Sequence, residues 1–548
     1  MGKQSFTRGA VILAGASIIS RLLGALYVVI LPRIIRDEGI GLLQMVRPFY
    51  NLAVILSIAG LPVALSKLVA EQAALGNFRG AVRIFKFTLL LMAVSGAVFT
   101  GILGTSAKWF VESVVRDPLA YPALLAVVPS VFLLAVVSAF RGFFQGMQYM
   151  TPTAISQIVE QICRVGAMLV LASVLMPRGA AYGAAGASFG STVGAAAGLT
   201  VMAFYYVRWR RGRVISLQEM SGPALPFAVI IRRLLAVSLP IVMGSILWPM
   251  MQMIDTGLVP LRMQAAGCSQ DVIREAIGYF GMALSLMHFP NVITHALSVT
   301  LVPAVAEASA LNSYQLVQRR VNEALRITVM LGLPASTGLF VLADKAAFLM
   351  FSYAEAGEPL RILALGTLSI GLFQVCSGIL QGLGLVFVPV RNLVTGAVVK
   401  FAINYWLTAL PGIGIKGAAW GTVLGFGTAS LLNLAAVYRR VRVKPDWREI
   451  LLKPGLACVI MALGVVVIYD GFYSLLTLIV DRSEWAWVQT NAAAVSNGLA
   501  TMGAVGCGMG VYGLGLLGTG ALYRRDVELI PKIGVKLSRW LSHYGWVK

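Results

Sequence analysis

Ionisable side chains inside long apolar stretches are the residues of this sequence best placed to do chemistry. Arg21, Arg47, Glu160, Arg164, Asp255, His288, His295 and Lys400 all lie in such stretches, with Asn404 one helical turn after Lys400. A charge surrounded by hydrocarbon is costly, so each is a candidate for a functional site. Bland alternatives exist: Arg47 could snorkel to an interface, Glu160 and Arg164 could merely neutralise each other, and the histidines could be satisfied core residues. Arg21 and Lys400 are too deep to snorkel. The cations (Arg21, Arg47, Arg164, Lys400) outnumber the acids (Glu160, Asp255), and buried cations are expensive until an anion arrives. Arginine binds phosphate oxygens through a two-pronged fork, lysine as a point charge. The set points to a phosphate-bearing anion handled within a bilayer. Arg21, Arg47, Arg164, Lys400, Asn404 and His288 are the expected binding residues; Glu160 and Asp255 are expected to form charge pairs or to couple transport to a cation.

Other chemistry has no visible basis in the sequence. There is no nucleophile–base–acid set, no phosphate-cradling GxxxxGK[ST] loop and no CxxC pair; the five cysteines are scattered. No enzyme activity and no metal or organic cofactor is expected, leaving only a coupling ion, Na+ or H+, to be considered.

The elements that must position these residues are membrane helices. Of 548 residues, 58% are hydrophobic and 12% charged, and the mean hydropathy is +0.83, whereas soluble domains carry about 25% charged residues. Apolar windows predict an all-α membrane protein of about fourteen transmembrane helices, each of ~20 residues. The expected division is a first lobe of spans one to six at 1–220 and a second of spans seven to twelve at 221–448. Spans thirteen and fourteen follow at 449–525. An amphipathic helix at 526–548 carries Ile530, Ile533, Leu537, Trp540, Leu541 and Tyr544 on one stripe and is expected to lie on the inner leaflet.

The net charge of +22 does not indicate nucleic acid, because the basic residues fall in short runs between apolar segments, such as Arg208, Arg210, Arg211 and Arg213. About two thirds of the Lys and Arg residues fall on one set of alternate loops, which predicts cytoplasmic termini in the plasma membrane.

An internal repeat organises the lobes. Gly183, Gly186, Gly190 and Gly194 recur as Gly414, Gly417, Gly421 and Gly425; Gly142-x-x-Gln145-Gly146 recurs as Gly378-x-x-Gln381-Gly382; and Arg164 falls opposite Lys400. An offset of roughly 230–240 residues spans six helices, so the two copies are parallel. The glycine ladders are read as close helix contacts rather than ligand sites.

Several of these residues also resemble a known family. Ser20-Arg21-Leu22-Leu23-Gly24 is similar to the SRxLG signature of the lipid II flippases. Gly60 to Lys67, Arg141 to Gly146, Pro152 to Gln157, Glu160-Gln161 through Arg164, Leu301 to Ala304, and Lys400 to Asn404 resemble the stage V sporulation protein B branch. Both belong to the multidrug/oligosaccharidyl-lipid/polysaccharide flippase superfamily, and the likeness covers nearly the whole chain. It implies a V-shaped pair of lobes, alternating access and translocation of an undecaprenyl-pyrophosphate-linked sugar whose pyrophosphate is received by arginines. The implied partners are that polyprenyl-linked glycan lipid, the membrane and cell-wall synthesis proteins. Tyr27 stands where the lipid II flippases carry a second arginine, which places the chain in the sporulation and polysaccharide branch. Two other readings compete: a cation-coupled multidrug exporter, which would want an acidic cavity, and a non-transporting scaffold, which would gain nothing from deep charges.

Overall fold

The structure, a computed structural model, describes residues 6–211, 226–442, 448–481 and 492–522; the expected interfacial helix at 526–548 and the 220/221 lobe boundary lie outside them. The described residues are helical, with no strand among them. The chain packs as two compact units, Met1–Gly278 and Tyr279–Lys548.

The first unit holds α1 (Phe6–Ile58), α2 (Leu61–Ala74), α3 (Phe78–Phe110), α4 (Tyr121–Gly146), α5 (Thr151–Leu175), α6 (Ala180–Arg211), α7 (Phe227–Ala265) and the start of α8 (Gln270–His288). Helix α1 is two arms joined at Arg36, whose φ of 59° breaks the helix. Gly60, at φ 66°, separates α1 from α2, and a Cβ there would stand 3.0 Å from the Ser238 carbonyl oxygen. Helix starts follow local chemistry: proline occupies the first turn of α2, α4 and α5, where its missing N–H costs nothing. Asn77 caps α3 through Gly80 N, and α6 ends in Arg208, Arg210 and Arg211, which suit the negative end of a helix dipole. An aromatic core of Phe85, Phe140, Phe143, Tyr206 and Trp209 ties α3, α4 and α6 together.

The second unit holds α9 (Asn291–Ala310), α10 (Tyr314–Val341), α11 (Ala343–Phe351), α12 (Gly357–Gly382), α13 (Phe387–Leu407), α14 (Ile415–Val441), α15 (Lys453–Asp481) and α16 (Ala492–Gly518). Its core is aliphatic, with Val305, Val321, Ile379 and Val437 at its centre. Helices α15 and α16 pack on each other, and with Leu342, the residue after α10, they form a separate cluster.

Among the described residues, eleven stretches are long and apolar enough to cross a membrane, or twelve with α7, which is bent by 41° between Leu239 and Gly244. That makes a multi-pass membrane protein, with fewer such stretches than the fourteen spans expected. Part of the difference lies at α1 and α2, where Gly15–Ala74 counts as one stretch of 60 residues. A straight helix of that length would run ~90 Å, against the ~30 Å of a bilayer core, but the chain is broken at Arg36 and Gly60. Helix α13 is absent from the eleven because Arg391, Asn392, Lys400 and Asn404 lower its hydropathy. The apolar window 277–306, which carries His288 and His295 and reads in the sequence as a single span, the eighth, is two helices, α8 and α9, separated at Phe289–Pro290. Proline at that point removes a backbone donor and ends the run.

Candidate functional site

In the first unit the site is built where α4, α5 and α6 meet. Glu160 is buried on α5 and held from two sides. Arg141 Nη2, on α4, donates to Glu160 Oε2 at 2.7 Å, and Arg164, one turn further along α5, donates to Glu160 Oε1. Arg141 also donates to Ser156 Oγ at 2.8 Å, and Ser156 in turn donates to the Gly198 carbonyl on α6 at 3.1 Å. One carboxylate against two guanidinium groups leaves an excess cation. The Arg164 side chain keeps 26% of its surface open, while its Nε is buried without a hydrogen-bond partner, as is the Nε of Arg141. Such donors are costly to leave unmatched in a low-dielectric site.

Close approach of α6 fixes this geometry. A Cβ on Gly194 would lie 2.6 Å from the Arg164 Cβ and 2.8 Å from the Glu160 carbonyl oxygen, and one on Gly190 would lie 2.8 Å from the Arg164 carbonyl oxygen. Only the missing side chains let α6 press on α5 at the level of the charged pair. Helix α1 lines the same region. A Cβ on Gly24 would lie 3.3 Å from Gln161 Nε2, and Tyr50 accepts from Ser130 at 3.2 Å. Ser20 Oγ and Gln157 Oε1 are buried without hydrogen-bond partners among the described residues.

The second unit repeats the framework with different side chains. A Cβ on Gly425 would lie 2.8 Å from the Lys400 Cβ; one on Gly421 would lie 3.1 Å from the Lys400 carbonyl oxygen and collide with Asn404. Gly142 and Gly146 rest on the carbonyls of Pro62 and Ser66, and Gly378 and Gly382 rest on those of Ser298 and Val302. Every one of these α2–α4 contacts recurs between α9 and α12 at the same spacing. In that register Arg164 corresponds to Lys400, as the sequence suggested, while Glu160 corresponds to Gly396, Arg141 to Ser377 and Ser156 to Asn392. Apart from Lys400, the charged set of the first unit becomes a neutral one: Asn392 donates to Asn433 at 2.9 Å, and Asn433 donates to Ser377 at 3.0 Å. Lys400 is only 2% exposed.

The other expected residues are placed as follows. Arg21 and Arg47 are exposed on the two arms of α1, and Asp255 is buried on α7. His288 ends α8 half-buried, and His295 is exposed on α9, so the break at Pro290 divides a pair expected on one helix. Asn404 is buried one turn beyond Lys400. Arg141 was not among the expected site residues, although it is the single charged residue of α4, and that isolation was the available signal. A second buried pair was also missed: Arg274 Nε donates to Asp117 Oδ2 at 2.8 Å, joining two residues far apart in sequence.

A family model described as polysaccharide biosynthesis protein matches residues 6–307. The chain belongs to that family. Stage V sporulation protein B of Bacillus subtilis (strain 168) is 32% identical over 452 residues, covering 82% of this chain and 86% of that protein. Lipid II flippase MurJ of the same organism is 29% identical over 453 residues, covering 78% and 81%. Among solved structures, an inward-facing MATE family multidrug transporter of the MOP superfamily matches with TM-score 0.63 at 14% identity, covering 77% of this chain and 94% of that one. The inward closed conformation of lipid II flippase MurJ matches with TM-score 0.55 at 14% identity, covering 90% and 97%. At such identities the likeness is one of fold, so this member of the polysaccharide biosynthesis family has a MATE- and MurJ-like fold.

Proposed function

We propose that the protein is a flippase that moves an undecaprenyl-pyrophosphate-linked cell-wall precursor, lipid II or a related lipid-linked oligosaccharide, across the plasma membrane by alternating access. The observation that carries this reading is the excess of cation over carboxylate in the first repeat, where Glu160 is outnumbered by Arg141 and Arg164; at the same register of the second repeat stands the buried Lys400. A pyrophosphate entering the bilayer must shed water, and buried guanidinium and ammonium groups replace that hydration. Arg21, Arg164 and Lys400 are assigned to receive it, with Arg47, His288 and Asn404 as further contacts. Relatives named as a sporulation protein and a lipid II flippase support the assignment, and the excess of Lys and Arg on one set of loops supports cytoplasmic termini.

A cation-coupled drug exporter on the same fold would need an available acid, and Glu160 is already engaged by two arginines. The deciding experiment is complementation of a strain depleted of its lipid II flippase, with membrane expression verified. Rescue by the native chain and its loss in Lys400→Ala is the expected result. Drug resistance conferred without rescue would transfer the assignment to the exporter.

A further inference from the structure

The repeat register that aligns Gly194 with Gly425 also aligns Trp209, at the end of α6, with Arg440, at the end of α14. The two copies have used this place differently. In the first unit the Trp209 indole packs edge-on against Phe143 at 5.2 Å and stacks on Tyr206 at 6.0 Å, closing the end of the unit with rings. In the second unit the equivalents of Phe143 and Tyr206 are Ile379 and Val437, and Arg440 replaces the indole. Beside Arg440 and Val441 lies a cavity of about 200 Å³. Its floor is Val317 and Leu383, and its polar lining includes Ser309, Asn312, Ser313 and Arg440.

The connecting loop differs in the same sense. In the first unit Asn77 accepts from Gly80 N at 2.8 Å and donates to Gln72 at 2.8 Å, closing the loop on itself. Ser313 stands at the equivalent place and makes no side-chain cap bond to α10. Arg440 is exposed and has no ion-pair partner among the described residues. A pocket of this size, with one arginine, an amide and hydroxyls over an apolar floor, matches a small anionic group attached to something apolar.

We propose that this cavity binds a phosphate-bearing group through Arg440, supplied either by an anionic phospholipid of the surrounding leaflet or by soluble phosphate. The site is separate from the residues assigned to translocation.

Arg440→Trp sets the other copy's residue at this position; Arg440→Ala removes the cation with its side chain; Arg439→Trp is the control, since Arg439 does not line the cavity. The full-length protein, purified in neutral detergent, is titrated with phosphatidylglycerol and, separately, with inorganic phosphate, and retention is read by native mass spectrometry alongside the thermal midpoint. Phosphatidylglycerol binding that weakens about tenfold in both Arg440 variants, but not in Arg439→Trp, identifies the lipid as the source. The same pattern with inorganic phosphate alone identifies a soluble ligand. Equal binding by the native chain and Arg440→Trp, or an equal loss in Arg439→Trp, overturns the site.

Discussion

Arg141 and Glu160, 2.7 Å apart and both largely buried, join α4 to α5 by a charge-assisted hydrogen bond. With Arg164 on the other carboxylate oxygen, the bond makes a clamp whose acid is the smaller partner. Removing that acid should be worse than removing either base.

Glu160→Gln leaves two guanidinium groups side by side with no counter-charge. A loss of about 3–5 kcal/mol of stability is expected from breaking a buried pair in this way. Thermal unfolding in detergent measures it. Adding Arg141→Met to Glu160→Gln should recover part of the loss, because it removes one of the stranded charges; no recovery would mean that the clamp does not hold α4 to α5.

Replacing Arg164 or Lys400 with Ala should abolish translocation in a flipping assay while protein still accumulates in the membrane. Arg21→Lys should keep only part of the activity, since the charge remains but the two-pronged geometry is lost. Full activity in Arg21→Ala together with Lys400→Ala would remove these cations from the mechanism.

Gly194→Ala and Gly425→Ala test the packing that seats the two cations. In each, a new methyl group would press on the Cβ of the basic residue, at 2.6 Å for Arg164 and 2.8 Å for Lys400. Overpacking of this kind costs about 1–3 kcal/mol. Thermal unfolding should register that loss in both variants, and the flipping assay should fall with it. A destabilised variant that transports at the native rate would separate helix packing from cation placement.

Single cysteines placed beside Arg211 and Arg442, in a chain whose own five cysteines have been replaced, should be shielded from an impermeant thiol reagent in intact cells. Labelling from outside at either position would reverse the proposed orientation.

Much of this was legible in the sequence, for physical reasons. The glycine ladders are spaced at one helical turn, so their role in close helix packing was legible from spacing; that Gly194 meets Arg164 and Gly425 meets Lys400 was not. Nor was the Arg141 contact. It joins residues on different helices, and spacing along a chain says nothing of which faces meet. The Arg274–Asp117 pair was hidden for the same reason, lying at helix ends where charges are ordinarily solvated. The break between α8 and α9 escaped because 277–306 is apolar enough to read as one span, and hydropathy averages over a single Pro290.

The match between the two copies has a historical consequence. The backbone contacts (glycine on carbonyl, at one spacing throughout) are shared, whereas the polar fittings carried on them are not: Glu160 against Gly396, Arg141 against Ser377. A duplicated segment can therefore diverge in polarity one side chain at a time without disturbing the chassis. The first copy settled on an ionic joint and the second on an amide chain ending in Ser377. Grafting a single residue across, such as Ser377→Arg, would import half of a joint, because its acid has no counterpart in the second copy. Functional asymmetry between the halves is thus inherited as a set, and exchange between them would have to proceed by whole clusters.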